Sequence, residues 1–210
     1  MKNEELEAFH RLSGILDTLR KECPWDRQQT MKSLRYLTIE EVHELSEAVV
    51  ALNDLKDFKD PKDPKIQDLK KELGDLAMHI LFYCKIAEDE GLFTTADVYN
   101  AICDKLIARH PFIYDKENYH GENWEQLKMR EGRKNVLEGV PSTLPTLVKT
   151  VRMQEKVHGS TENTAAPSGM SEEEFGQRLF DLVDWGRRHG INADDALSLA
   201  NRRFAEEHSK

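Results

Sequence analysis

Two short acidic motifs stand in this chain at spacings that set carboxylates side by side. Glu41 and Glu44 are three residues apart, Glu40 and Glu44 four, and Glu72 and Asp75 three. Helical residues at these spacings share a face, with Cβ atoms about 5–6 Å apart. If the helix carrying the first motif packs antiparallel on the helix carrying the second, four or five carboxylates converge on one spot. Left unpaired, such a cluster repels itself and is costly to strip of water. A hard divalent cation resolves the conflict, because Mg²⁺ takes oxygen ligands and commonly bridges to substrate phosphates. Glutamates so spaced also line ordinary solvated helices, where most charged side chains belong. Two details weigh against that reading here. Glu72 and Asp75 interrupt the most apolar helical stretch of the chain. Gly74, between them, costs about 1 kcal/mol relative to alanine in a helix interior and suggests close approach of something.

The elements that must position these acids are helical, and the fold class expected is all-α. Leu6, Phe9, Leu12, Leu16 and Leu19 recur at helical steps, giving an amphipathic first helix. Cys23-Pro24-Trp25-Asp26 ends it, because proline cannot continue the ladder. Thr30 caps a second helix running to about Leu55, with Leu34, Leu37, Val42, Leu45, Val49 and Leu52 as its stripe. A charged, proline-punctuated loop follows at 56–65. The third helix runs from about Ile66 to Glu90 and is stopped by Gly91. A fourth covers 95–109, halted near His110-Pro111, and a fifth covers roughly Asn123 to Val136, with Gly132 against its second half. Three more are expected at 145–157, 171–189 and 193–207, with a Gly/Ser/Thr/Pro-rich loop at 159–169. No strand pattern occurs.

A faint internal repeat organises the chain. Glu72-Leu73-Gly74-Asp75-Leu76 is echoed by Glu174-Phe175-Gly176-Gln177-Arg178, and Asp97 through Leu106 to His110 by Asp195 through Phe204 to His208. The second copy has Gln177 where the first has Asp75, and nothing before it matches Glu40-Glu41-Val42-His43-Glu44. The expected division is a catalytic repeat at 1–138, a linker at 139–145, and a degenerate second repeat at 146–210 that lacks the acids.

Composition narrows the function. The 210 residues carry 39 acids and 30 bases, a formal net charge of −9, which argues against a nucleic-acid binder with its basic face. No apolar run approaches the ~20 residues of a membrane span, and Met1 to Phe9 lacks a signal-peptide core. A soluble, cytoplasmic protein is expected. Three widely spaced cysteines suggest no disulfide framework, and Cys84 and Cys103 read as small core residues.

At its acidic motifs the sequence resembles the MazG-type nucleoside triphosphate pyrophosphohydrolases of the all-α pyrophosphatase superfamily. That family's mark, Glu-Glu-x-x-Glu followed on the next long helix by Glu-x-x-Asp, stands here as Glu40-Glu41-Val42-His43-Glu44 and Glu72-Leu73-Gly74-Asp75. Supporting pieces are Cys23-Pro24-Trp25-Asp26 with Gln29-Thr30, Lys105-Leu106 leading to Arg109-His110-Pro111, and Trp124-Glu125-Gln126-Leu127-Lys128. The match runs in order over residues 6–137.

The resemblance implies Mg²⁺-dependent hydrolysis of an NTP or dNTP to a nucleoside monophosphate and pyrophosphate, with Mn²⁺ as a substitute ion. It implies that Glu41, Glu44, Glu72 and Asp75 ligate the metal, with Glu40 a further ligand or the base for the attacking water. It assigns Lys105 and Arg109 to the triphosphate, Lys105 among the catalytic groups, and Trp124 with Lys128 to closure over the nucleotide. It also implies that Trp25 shapes the base or sugar pocket. A homodimer is implied, and house-cleaning of the nucleotide pool as the role. Each residue also has a plainer reading: Lys105 and Arg109 as bases complementing a helix C-terminus, Trp124 as a packing residue, Trp25 as a staple beside Pro24.

The sequence departs from the family in its long 57–64 insertion, tolerable because loop closure costs grow slowly with length, and in its acid-free second repeat. One rival is a nucleotide-binding or dimerisation module that has lost turnover. Another is a di-iron four-helix-bundle oxidase, which uses Glu-x-x-His pairs. Two such pairs occur, Glu40-x-x-His43 and Glu155-x-x-His158, but they leave Glu72-x-x-Asp75 and the basic pair unexplained.

Overall fold

Helix α1 (Asn3–Glu22) begins with Glu4 and Glu5 and ends with Arg20 and Lys21, each matched to the dipole at its end. Cys23 turns the backbone extended, and Pro24 then takes the first position of a new helix, α2 (Pro24–Gln28). Proline suits that position, where its missing N–H is no loss. The Cys-Pro-Trp-Asp run is therefore the start of a short helix and not only the end of the first. Thr30 precedes α3 (Met31–Leu52) as expected. Its Oγ1 accepts from Ser33 N at 3.1 Å, while Thr30 N donates to Ser33 Oγ at 2.9 Å, a reciprocal cap of the Ser/Thr-x-x-Glu kind with serine in the second role.

The computed structural model describes residues 3–52, 60–122, 124–129, 132, 135–158 and 169–208. The last three residues expected in the second helix, and all but one of the 159–169 loop, lie outside them. Helix α4 (Pro64–Asp89) starts on Asp63, whose side chain accepts from Lys65 N. It ends in a Schellman motif: Leu92 N donates to Ala87 O and Gly91 N to Glu88 O, both at 3.0 Å, with Gly91 at φ +65. Two residues later Thr94 and Asp97 cap α5 (Thr95–Arg109) reciprocally. Glu88 reaches across to accept from Thr95 N and Oγ1, which fixes the α4–α5 turn.

The chain divides into two compact units, Met1–Leu106 and Ile107–Lys210, with the boundary inside α5. In the first, Leu16, Leu34, Leu81, Phe82 and Ile86 form the core, with Phe9, Leu12, Leu37, Met78 and Tyr83 packed around it. Helices α3 and α4 run antiparallel. Thr38 meets His79 and Tyr83, Glu41 meets Glu72 and Asp75, and Ala51 O accepts from Lys65 Nζ. Cys84 is buried, as expected, but Cys103 is exposed, because α5 buries none of its own residues.

The second unit opens with α6 (Pro111–Tyr114) and α7 (Trp124–Met129). The fifth helix was expected to reach Val136; the described helix is α7, Trp124–Met129, and residues 130–131 and 133–134 lie outside the described residues. Gly132 takes φ +85 and residues 135–139 are bend and turns. Helices α8 (Thr146–His158), α9 (Glu172–Arg188) and α10 (Ala193–His208) fall within two residues of expectation. Among the described residues every regular element is helical, so the fold is all-α.

Gly74 corrects one expectation. A Cβ built there meets no atom within 4 Å, so nothing among the described residues approaches it. Gly74→Ala should stabilise the isolated chain by about 0.5–1 kcal/mol, the usual helix-interior difference, measured by denaturant unfolding. A loss of stability would mean that another molecule packs there.

Candidate active site

The antiparallel α3–α4 pair brings together acids that lie 31 and 34 positions apart in sequence. Glu41, Glu72 and Asp75 each offer an oxygen, and these atoms all lie within 4.8 Å of one another. Glu72 is 3% exposed, while Glu41 and Asp75 are half-buried. Glu44, one turn beyond Glu41, is exposed, and the charge of Glu72 acts on it. Glu40 is exposed and acts on Glu41 and Glu44 through its charge.

The electrostatics record the crowding. Glu41 is pushed above its ordinary value by burial first, then by the charges of Asp75, Glu44, Glu72 and Glu40. Glu44 is pushed up chiefly by the charge of Glu72, with Lys71 opposing. Lys71 Nζ binds Glu72 Oε1 at 2.8 Å, and this bond raises the lysine's own pKa. The other oxygen, Glu72 Oε2, is buried with no hydrogen-bond partner. A buried carboxylate oxygen left bare costs the full desolvation of the group. Converging hard oxygens around one orphaned acceptor fit a divalent cation such as Mg²⁺.

Beneath the acids lies a polar chain that the sequence reading missed. Thr38 Oγ1 is 3.0 Å from Leu34 O, 2.8 Å from His79 Nδ1 and 2.8 Å from Tyr83 Oη. A carbonyl only accepts, so the threonine hydrogen points to Leu34 and the other two groups donate to Thr38. That places the His79 proton on Nδ1 and leaves Nε2 as an acceptor. Burial pushes the His79 pKa down against the pull of Asp75, which keeps the ring neutral. The available signal was His79 at one turn from Asp75, on the same face.

The remaining expected residues stand on α2, α5 and α7. Trp25 lies exposed on α2, a segment pinned by Arg20, whose guanidinium donates to Asp26 O at 2.7 Å, Gln29 O at 3.2 Å and Asp89. Lys105 is exposed on α5 in the first unit. In the second unit, the Arg109 guanidinium lies 5.6 Å from the Trp124 ring centroid, within cation–π range, and His110 packs on the same ring at 5.5 Å. The Lys128 side chain lies outside the described residues.

In the second unit, Glu174, expected to echo Glu72, forms a capping box with Ser171 at the start of α9. Gln177, expected to echo Asp75, donates to Asp181 at 2.8 Å. Among the described residues, Glu41, Glu72 and Asp75 are the one group of three that could hold a metal.

The two longest described helices of this all-α chain converge three acids that could hold a metal ion, and sequence comparisons name the family. Residues 29–114 match the model of the MazG nucleotide pyrophosphohydrolase domain. A nucleoside triphosphate pyrophosphohydrolase/pyrophosphatase MazG of Thermotoga maritima is 32% identical over 96% of this chain and 84% of its own length. A nucleoside triphosphate pyrophosphohydrolase of Escherichia coli is 29% identical over 95% and 85%. An uncharacterised Bacillus subtilis protein, YabN, is 31% identical over 98% of this chain, which spans 47% of that longer protein. The chain belongs to the MazG family.

Glu41 gives a pH test. A carboxyl whose folded pKa is raised contributes stability that is full below its unfolded value and is lost as pH rises through the folded one. With an ordinary value of 4.5, Glu41 weakens the metal-free fold progressively above that pH. Glu41→Gln should gain stability relative to the parent as pH rises from about 4.5 to 7 in chelator, followed by thermal unfolding. Parallel curves would deny the raised pKa.

Proposed function

We propose that this protein hydrolyses nucleoside triphosphates, NTPs or dNTPs, to a nucleoside monophosphate and pyrophosphate with Mg²⁺, Mn²⁺ serving as a substitute. The observation that carries the reading is the convergence of Glu41, Glu72 and Asp75 around the orphaned Glu72 Oε2, in a chain of the MazG family. Glu41, Glu72 and Asp75, with Glu44 at the rim, hold the metal. When bound, the ion supplies Lewis acidity and neutralises phosphate charge. Glu40, beside the cluster, takes the proton of the attacking water. A bond forms from the water oxygen to the α-phosphorus, the bond from that phosphorus to the bridging oxygen breaks, and pyrophosphate leaves. Lys105 and Arg109 hold the triphosphate in line. Trp124 and Lys128 close over the nucleotide, and Trp25 contributes to the base or sugar pocket.

The catalytic repeat comprises residues 1–138, joined through 139–145 to the degenerate repeat at 146–210. The capping role of Glu174 and the Gln177–Asp181 bond fit a second repeat without metal-holding acids, while the compact units themselves divide at Leu106. House-cleaning of the cytoplasmic nucleotide pool is the physiological role, and no helix among the described residues is long and apolar enough to cross a membrane.

Product analysis over a panel of NTPs and dNTPs tests the reaction. Monophosphate and pyrophosphate should appear only with divalent metal. Changing Glu41, Glu44, Glu72 or Asp75 to its amide should cut turnover by more than about a hundredfold, beyond what outer-shell partners of a metal are worth, with helical circular dichroism unchanged. Full activity in two such variants, or none in the parent with any nucleotide, would overturn the reading.

A homodimer completes the proposal. Val42 and Val49 on α3, and Leu73 and Ile80 on α4, form exposed apolar rows seven residues apart. In the second unit, Leu147, Phe180, Trp185 and Ile191 line an open apolar cavity of about 730 Å³. Apolar surface on this scale ordinarily meets a partner. Sedimentation equilibrium should give twice the chain mass of 24.3 kDa; a monomer at micromolar concentration would reject it.

A further inference from the structure

The acid cluster contains a cation of its own. Lys71 and Glu72 are neighbours in sequence, and adjacent residues on a helix do not face each other. Yet Lys71 Nζ reaches Glu72 Oε1 at 2.8 Å, from a side chain 64% exposed onto one only 4% exposed. The stem must fold back over the helix, at a cost in side-chain freedom. What draws it there is visible in the charges acting on the ammonium, those of Glu72, Glu44 and Asp75. All three belong to the acids assigned above to the metal. Lys71 therefore satisfies one oxygen of the buried carboxylate and leaves the other, Oε2, bare.

We propose that Lys71 is an internal counter-cation that competes with the divalent ion for Glu72, so that loading the site exchanges one cation for another. The inference rests on the metal reading above and concerns its regulation. An ammonium bonded to one oxygen of Glu72 repels a dication drawn to the same carboxylate, and at this range the repulsion is screened only in part. Without an ion, the same ammonium offsets the burial of Glu72 among like charges. Lys71 thus favours the empty fold and weakens metal binding, and the two effects come from one charge.

Lys71→Met keeps the stem and removes the charge, whereas Lys71→Arg keeps both charge and reach. Mn²⁺ titrated calorimetrically into the full chain at low salt should bind roughly three- to tenfold tighter to the methionine variant than to the parent, with the arginine variant near the parent. Thermal unfolding supplies a second readout. In chelator the methionine variant should melt below the parent, and at saturating Mn²⁺ the difference should vanish. Equal or weaker Mn²⁺ binding by Lys71→Met would overturn the competition while leaving the metal site in place. No Mn²⁺ binding by the parent would overturn the metal site, and the competition with it.

Discussion

Burying a carboxylate costs free energy that apolar packing does not return, and Glu72 is buried at the seam between α3 and α4. Its neighbours make matters worse, since Glu41 and Asp75 crowd the same point and the charge of Glu44 adds to theirs. One oxygen is offset by Lys71 and the other by nothing. The rest of the first unit can be understood as the frame that holds this unfavourable arrangement still. A frame so loaded is expected at a functional site, where local strain is tolerated because surrounding structure over-determines it.

That frame is built from specific caps and a small core. Asp63 and the Schellman turn at Gly91 fix both ends of α4, and the Thr30–Ser33 pair fixes the start of α3. Leu34 and Leu81 lock the two helices in the core, one turn from the polar chain of Thr38, His79 and Tyr83. With the register held from both sides, the acids cannot relax apart by sliding. The polar chain is fully paired through Thr38, so it adds rigidity without a second unsatisfied group.

The second unit places its similarly spaced polar residues differently. Glu174 sits at the third position of α9, where its carboxylate completes a cap, while Glu72 sits deep in α4. Gln177 turns to Asp181 along its own helix. Among the described residues of this unit no three acids converge, and the exposed apolar face of α9 is left for other contacts. Gly186 marks the remaining tight packing, since a Cβ there would stand 3.3 Å from Ile191 O.

The sequence by itself determined the helices, and most of their ends, because periodicity, proline, glycine and capping residues act over one or two turns. It also determined which acids share a helical face, as spacing alone does that for Glu41 with Glu44 and Glu72 with Asp75. The fifth helix expected to Val136 does not continue through Gly132, which takes a left-handed φ that a weak periodicity does not outweigh. Only the tertiary structure decided that Glu72 is buried and Glu40 exposed, that Lys71 folds back onto its neighbour, and that Thr38 fixes the proton of His79. Those outcomes depend on the register between α3 and α4, and register is set by contacts between residues some forty positions apart, beyond the range of any local signal.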